Sequence, residues 1–152
     1  DAELIAFLIQ CVEGYRLAYP DYTFNLTLPV EEIKFAINRD LFFQMLDKLI
    51  NNAVGFSNKE DAIKLDLIRK DNDIKLMIEN KVPLLPTDME SELFNSMVSI
   101  RDKQAKQSPH LGLGLYVARI IAEFHNGAIS ARNLSNEQGV QFCLSFKEIT
   151  IN

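Results

Sequence analysis

The chain has 152 residues, of which 47% are hydrophobic and 24% charged, and its formal net charge is -5. These values indicate one globular domain with a core of its own. The negative charge argues against bulk binding to nucleic acid or to an anionic membrane surface. No apolar run reaches the roughly 20 residues that a membrane-spanning helix needs, and the first residues lack the basic start of a signal peptide.

The chain begins with Asp-Ala-Glu-Leu and not with Met, so we expect a fragment of a longer protein. Its two cysteines, Cys11 and Cys143, lie far apart and form no CxxC motif. We interpret both as small buried hydrophobic residues in a reducing compartment and not as a disulfide.

The first part of the chain is predicted to contain two helices and two strands. Apolar residues at helical spacing predict a helix over residues 2–18. Alternating polarity predicts a strand over 21–28 and a second strand over 33–37. A wide apolar face then predicts a helix over about 40–57, which either Asn38 or Asp40 can cap.

A hairpin follows, with predicted strands over 62–69 and 74–79 joined by an Asp- and Asn-rich turn. Residues 81–110 contain two prolines and show no strong periodicity. Their basic residues suit either a lid over a bound anion or a solvated loop; these are Arg101, Lys103 and Lys106.

The stretch from His110 to Gly127 is predicted to be a helix that opens on Gly112 and Gly114 and ends at Asn126-Gly127. A last hairpin pairs strands over 128–133 and 140–147. The order of elements predicts a two-layer α/β sandwich, with one mixed, mostly antiparallel sheet and helices on one face.

Three features are candidates for chemistry. A G-x-G that opens a helix lets an anion approach free backbone N–H groups, although a plain loop-to-helix turn has the same pattern. Asn52 lies near the apolar face of its helix, one turn after Lys48, and is either an edge or capping residue or a contact for metal or phosphate. Glu79 ends a strand, where its carboxylate can accept from an amine or simply be solvated.

The order of these pieces resembles the ATP-binding domain of sensor histidine kinases, in the gyrase-type ATPase superfamily with the Bergerat-type fold. The likeness covers roughly residues 22–147. QMLDKLINNAVGFS resembles the N box, IENKVPLLP stands at the first glycine box, ELFNSMVSIRD resembles the F box with Phe94 as its aromatic residue, and HLGLGLYVARIIAEFHNG resembles the second glycine box. More narrowly, the chain resembles kinases of dedicated sortase systems in proteobacteria.

The resemblance implies that Asn52 binds the Mg²⁺ that bridges the ATP phosphates, and that Glu79 takes the place of the Asp that accepts from the adenine amine. Backbone amides of the second glycine box would meet the phosphates. The implied ATP contacts are Asn52, Phe56, Glu79, Leu84, Arg101, Lys103, Lys106, His110, Leu111, Gly112, Leu113, Gly114 and Leu115, with Asn52 and Lys48 as catalytic residues.

Several positions depart from the family pattern. The first glycine box, D-x-G-x-G in the family, reads Glu79-Asn80-Lys81-Val82-Pro83, with neither glycine. Lys48 stands where the superfamily often has Asn or a general base, and Lys is a poor base at neutral pH. Gly55 replaces the basic residue that follows N-A-x in the family. These departures leave open whether ATP binding is weak, altered or lost.

The implied function is a kinase module that binds Mg-ATP and donates the γ-phosphate to a His on a separate dimerisation domain. Residues 1–20 would be a leading helix or linker from that domain. Neither His110 nor His125 is expected to accept the phosphate; His125 is interpreted as a helix C-terminal residue favoured by the dipole. The implied partners are a response regulator and a second copy of the full-length protein, and the implied location is the cytoplasmic side of a membrane-anchored sensor, without direct membrane contact by this domain.

Two rival functions remain at this stage. The first is a degenerate domain that binds little nucleotide and serves as a signalling scaffold, which the altered first glycine box favours. The second is a fragment of a stand-alone ATPase such as a topoisomerase or chaperone, which Lys48 disfavours because those enzymes need a base near Asn52.

Overall fold

The computed structural model describes residues 3–81, 111–134 and 139–148. Within these ranges the chain forms three helices and five strands. The helices are α1 (Leu4–Ala18), α2 (Arg39–Phe56) and α3 (Leu111–Phe124). The strands are β1 (Phe24–Thr27), β2 (Ile63–Lys70), β3 (Asp73–Asn80), β4 (Ala128–Asn133) and β5 (Val140–Lys147).

The five strands form one sheet in the order β1-β2-β3-β5-β4. β1 runs parallel to β2, and the other neighbouring pairs are antiparallel. In the β2–β3 turn Asp71 has a φ of 56°, a left-handed conformation that Asp tolerates better than most residues. The prediction of a mixed, mostly antiparallel sheet is confirmed.

The helices cover one face of this sheet. Successive strand residues point to opposite faces, and in β3 the buried series Ile74, Leu76 and Ile78 faces the helices. One continuous core joins these strand residues to the buried side of α2, which includes Phe42, Met45, Leu46, Leu49 and Ile50. We name the helix-covered side the inner face and the opposite side the outer face.

Helix α1 belongs to the same core. Leu4, Leu8 and Val12, one to two turns apart, are almost completely buried. The helix therefore packs as a part of this domain, whereas its predicted origin in an upstream dimerisation domain stays a prediction. No described helix combines the length and the hydropathy that crossing a bilayer requires.

The segment 33–37 differs from its prediction as a strand. Its burial does alternate, with Ile33, Phe35 and Ile37 buried, but within the described ranges it joins no strand ladder. The backbone N–H of Lys34 instead donates to a carboxylate oxygen of Glu148 at 3.2 Å. Packing of the apolar side chains against the core thus produces the alternation without sheet hydrogen bonds. β1 is likewise shorter than the predicted 21–28.

Side chains and backbone close the helix ends as the sequence indicates. Asn38 caps α2 by accepting from the N–H of Leu41 at 3.1 Å, which decides between the two candidate caps. Both cysteines are free, and Cys11 is buried as predicted, whereas Cys143 is only half-buried.

The C-terminal end of α3 is a Schellman motif. Asn126 takes the left-handed conformation with a φ of 59°, and the N–H of Gly127 donates to the carbonyl of Ala122 at 2.8 Å. A Cβ at Gly127 would lie 2.6 Å from the carbonyl oxygen of Ser145 and closer still to the ring of Phe146. The predicted helix end is confirmed, and the glycine is required by this close approach.

Candidate functional site

The second half of α2 meets the first turn of α3. A Cβ placed on the buried Gly114 would lie 3.7 Å from both Cβ and Cδ of Lys48. The aliphatic stem of the half-buried Lys48 therefore passes over the first turn of α3, while Asn52 lies one turn further along the same side of α2. The structure thus brings together the predicted residues Lys48, Asn52 and Gly114.

Asn52 has an unused polar atom. Its side-chain Nδ2 is buried, and no hydrogen-bond partner for it is found in the described ranges. Leaving a buried amide group unpaired costs about 1–3 kcal/mol. Because α2 continues to Phe56, Asn52 is not a capping residue, and within residues 3–81, 111–134 and 139–148 nothing pairs with this donor.

The N-terminus of α3 faces the same junction. The first four N–H groups of a helix have no partner inside the helix and carry a partial positive charge. The backbone N–H groups and the dipole of this helix end therefore make it a candidate anion site beside Lys48. Leu115 is completely buried, so its side chain belongs to the core, and only its backbone remains a candidate contact.

Glu79 does not lie where it was expected. It follows the buried Ile78 by one residue, so its side chain points to the outer face, away from α2 and α3. There its Oε1 accepts from Nε2 of Gln141 at 2.6 Å, and Oε1 of Gln141 accepts from Nε of Arg132 at 2.9 Å. The assignment of Glu79 to the adenine amine is therefore corrected, since the site it was assigned to lies across the sheet.

The next residue, Asn80, takes the inner position. It continues the inner series of β3 two residues after Ile78, and it is only 4% exposed. Its Nδ2 donates to Oγ of Ser57 at 3.0 Å, while its Oδ1 is buried without a partner in the described ranges. The sequence argument missed Asn80, although the alternation of the strand predicted over 74–79 already places residue 80 on the apolar side.

Ser57 connects these observations. It is the C-cap of α2, directly after the helix that carries Lys48 and Asn52. The end of β3 and the start of α3 thus each contact the second half of α2 or its C-cap, and one polar atom in each of the Asn52 and Asn80 amides is buried without a partner in the described ranges.

Comparison with known proteins agrees with this geometry. Residues 37–150 match the family described as histidine kinase-, DNA gyrase B- and HSP90-like ATPase. The chain belongs to this ATPase family. Within it, the chain is an ATP-binding catalytic domain of the sensor histidine kinase type.

Relatives and solved structures of this type are similar over nearly the whole chain. The sensor protein kinase WalK of Staphylococcus haemolyticus is 24% identical over 133 residues, which cover 86% of this chain and 22% of WalK. The mycobacterial sensor histidine kinase MprB superposes with a TM-score of 0.79 at 16% identity, over 99% of this chain and 97% of that one. Full-length ShkA in complex with AMPPNP superposes with a TM-score of 0.76 at 16% identity, over 99% of this chain and 31% of that one. The narrower likeness to sortase-system kinases stays a prediction.

Other residues expected to contact ATP in this ATPase family lie outside the described ranges. They are Leu84, Arg101, Lys103, Lys106 and His110, together with Phe94 of the F box. Phe56, Leu111, Gly112 and Leu113 are described only through their backbone, which belongs to α2 or α3.

His125, which ends the second glycine box, has a structural role. Its Nε2 accepts from the N–H of Asn38 at 3.1 Å, and its Nδ1 lies 2.9 Å from the carbonyl oxygen of Ile121. These partners require a proton on Nδ1 and a lone pair on Nε2, so the ring is neutral. His125 is at the helix end as predicted, but the interpretation as a residue stabilised by the dipole, which needs a charged ring, is wrong.

A second concavity lies between α1 and α2. This open groove of about 800 Å³ is lined by Cys11, Tyr15, Phe43 and Asp47, among others. Burial raises the pKa of the Cys11 thiol to about 11, and burial, reinforced by the Asp47 carboxylate, raises the pKa of Tyr15. Both groups thus stay protonated at neutral pH, so neither a Cys11 thiolate nor a Tyr15 phenolate is present in this groove.

Proposed function

We propose that this domain binds Mg-ATP and, within a longer two-component sensor kinase, donates the γ-phosphate to a His on a dimerisation domain. The family and the domain type are established above, but the chain spans only 22% of WalK, so the phosphotransfer of the whole protein is part of the proposal. The observation that carries it is that Nδ2 of Asn52, one turn after Lys48, and Oδ1 of Asn80 are buried without a hydrogen-bond partner in the described ranges.

The phosphate end of the ligand fits the α2–α3 junction. ATP carries several negative charges, which free helix N–H groups and an ammonium group stabilise. Lys48 forms no ion pair with a carboxylate in the described ranges. We assign it the phosphate contact that the missing basic residue at Gly55 would otherwise supply, and we assign it no role as a base.

The donor set also fits Mg²⁺. An Asn amide oxygen is a hard ligand, and Mg²⁺ commonly takes one or two protein ligands together with phosphate oxygens and water. The described ranges hold no cluster of three or more His, Cys, Asp or Glu that could bind a metal. When bound, Mg²⁺ neutralises phosphate charge; Asn52 would hold it, and Lys48 and the α3 N–H groups would orient the phosphates.

The base end of the ligand fits Asn80. Its buried Oδ1 lacks a donor in the described ranges, and the exocyclic amine of adenine is a donor of the required kind. We therefore transfer to Asn80 the amine-accepting role first expected of Glu79. The AMPPNP complex of ShkA, a structure with this fold, is consistent with a nucleotide site in the domain.

The proposed partners follow from the sensor kinase type. They are ATP, the His-containing dimerisation domain of the same protein, a response regulator and a second copy of the full-length chain. We place the domain on the cytoplasmic side of the membrane, where ATP is available. By itself this chain should show little phosphotransfer, because the acceptor His is expected outside it.

One observation favours the rival scaffold function. Lys81, at a first-glycine-box position, lies 3.6 Å from Asp61 in an ion pair and cannot give the close backbone approach of a glycine. A degenerate domain of this kind would bind little nucleotide.

Calorimetric titration with AMPPNP, with and without Mg²⁺, separates the two functions. We expect Mg-dependent binding in the micromolar to sub-millimolar range, about -5 to -8 kcal/mol. Asn52→Ala should weaken it at least about tenfold by removing the metal ligand. Asn51→Ala is the matched control, because Asn51 is exposed and bonded to Tyr19 and Asp47 on another side of α2. Absence of binding by the unmodified chain would establish the scaffold function instead, and unchanged affinity in Asn52→Ala would remove Asn52 from the site.

A further inference from the structure

We infer that Asn80 and Ser57 form a hydrogen-bonded pair in which the Asn80 amide can present either its oxygen or its nitrogen to a ligand. This pair would accept both 6-amino and 6-oxo purine nucleotides. The inference rests on the proposed nucleotide site and concerns which base enters it. Its basis is the Asn80–Ser57 contact and the free amide edge of Asn80.

Asn80 is fixed by the fold except for one edge of its amide. The residue is 4% exposed, ends the inner series of β3, and pairs in register with Val140 of β5. A Cβ at the neighbouring Gly139 would collide with the Asn80 carbonyl, so the backbone there is closely packed. Ser57 holds one side of the amide at 3.0 Å, and the other polar atom is buried and unpaired within the described part of the chain.

The Ser57 hydroxyl can hold the amide in either orientation. A hydroxyl group both accepts and donates. When Nδ2 of Asn80 donates to Oγ, the carbonyl Oδ1 is left to accept from an amine. When the amide is turned by 180°, the Ser57 O–H donates to Oδ1 instead, and Nδ2 is left to donate to a carbonyl. Both states keep the Asn80–Ser57 hydrogen bond.

The two orientations match the two kinds of purine. Position 6 carries an amine donor in adenine and a carbonyl acceptor in hypoxanthine and guanine. A carboxylate, which has acceptors only, satisfies the amine but places two acceptors face to face with a 6-oxo purine. An amide held by a hydroxyl satisfies either group. The pair Asn80–Ser57 therefore relaxes base selection where an Asp would enforce it.

The test compares ATP with inosine triphosphate, which replaces the 6-amine with a carbonyl without adding the 2-amine of guanine. Titration calorimetry of the unmodified chain should give affinities for the two nucleotides within about tenfold of each other. In Asn80→Asp, the ratio of ATP affinity to inosine triphosphate affinity should rise at least about tenfold, because the carboxylate can accept from the adenine amine and from Ser57 O–H but has no donor for a 6-oxo group. Inosine triphosphate should bind at least about tenfold more weakly to Asn80→Asp than to the unmodified chain.

Ser57→Ala provides the control for the role of the hydroxyl. It removes the anchor in both orientations, so it should weaken the two nucleotides by similar factors and leave their ratio unchanged. Melting temperatures of all three proteins, measured without nucleotide, show whether the variants fold.

The outcomes separate this inference from the proposed function. If the unmodified chain bound ATP more than about 100-fold more tightly than inosine triphosphate, the inference would be overturned while the proposed function stayed intact. That result needs no variant. An unchanged ratio in a folded Asn80→Asp would overturn it equally. Failure of both nucleotides to bind would overturn the proposed function and this inference with it.

Discussion

The two ends of α3 differ in the role of their backbone groups. At the C-terminal end, the N–H groups of Asn126 and Gly127 and both ring nitrogens of His125 have partners within the protein. At the N-terminal end, the first turn of the helix packs beside Lys48, and the first N–H groups of a helix have no partner within the helix. The C-terminal end supports the fold, while the N-terminal end is the proposed phosphate site, so mutations at the two ends should separate stability from binding.

The largest expected effect on stability is at the C-terminal end. Gly127→Ala should lower the free energy of unfolding by about 2–3 kcal/mol, because the added methyl group would overlap the Phe146 ring and the Ser145 carbonyl. Urea denaturation followed by circular dichroism measures this change. A loss below about 0.5 kcal/mol would show that the strand beside Gly127 shifts to make room for the methyl group at little cost in free energy.

His125→Ala should follow, with a loss of about 2 kcal/mol, because the buried N–H of Asn38 loses its acceptor and the ring leaves a cavity. The neighbouring Phe124→Ala is the control, since Phe124 is 63% exposed and should change stability by less than about 1 kcal/mol. Equal effects of the two substitutions in the same denaturation assay would contradict the structural role of His125.

Lys48→Met tests the N-terminal end. The methionine keeps most of the aliphatic stem over Gly114 but removes the charge, so AMPPNP should bind about tenfold more weakly while stability changes by less than about 1 kcal/mol. Lys75→Met, at an exposed position of β3 on the outer face, should leave affinity unchanged. Calorimetry measures the AMPPNP affinity of both variants, and thermal denaturation measures their stability. If Lys48→Met lost stability but not affinity, the assignment of Lys48 to the phosphate contact would be wrong.

The smallest effect on stability is expected for Gly114→Ala. A Cβ there has ordinary contact with Lys48 at 3.7 Å, and Ala is the better helix former, so the free energy of unfolding should change by no more than about 1 kcal/mol. Nucleotide affinity should fall, because the added methyl group lies on the first turn of α3, where the proposed phosphates approach the backbone closely. If this variant lost as much stability as Gly127→Ala, the contrast between the ends would not hold.

Much of the fold could be predicted because the periodicity of the sequence reports burial directly. The helices α1, α2 and α3 and both hairpins have strong apolar repeats, and their positions agree with prediction to within a few residues. The segment 33–37 shows the limit of this reasoning. Its alternation correctly predicted which side chains are buried, but hydrogen bonding to a neighbouring strand depends on tertiary position, which one strand's pattern does not contain.

The candidate site was less predictable for two different reasons. Lys48, Asn52 and Gly114 were predicted together because helical spacing and a family motif agree on them. Glu79 was chosen by chemical likeness to an Asp, although the apolar repeat of Ile74, Leu76 and Ile78 places residue 80, not 79, on the inner face. The use of Ser57 to hold Asn80 could not be predicted, because it depends on where α2 ends relative to β3.

The hydrogen bond from Asn38 to His125 has a mechanical consequence. It joins the C-terminal end of α3 to the residue that caps α2, so that any tilt of α3 turns about this contact. A helix of 14 residues is about 21 Å long, and a tilt of about 3° at the pivot moves its free end by about 1 Å. A small displacement at the His125 contact therefore produces a larger displacement at the proposed phosphate-binding end of α3, so His125 would help to position that end although it lies a full helix length away.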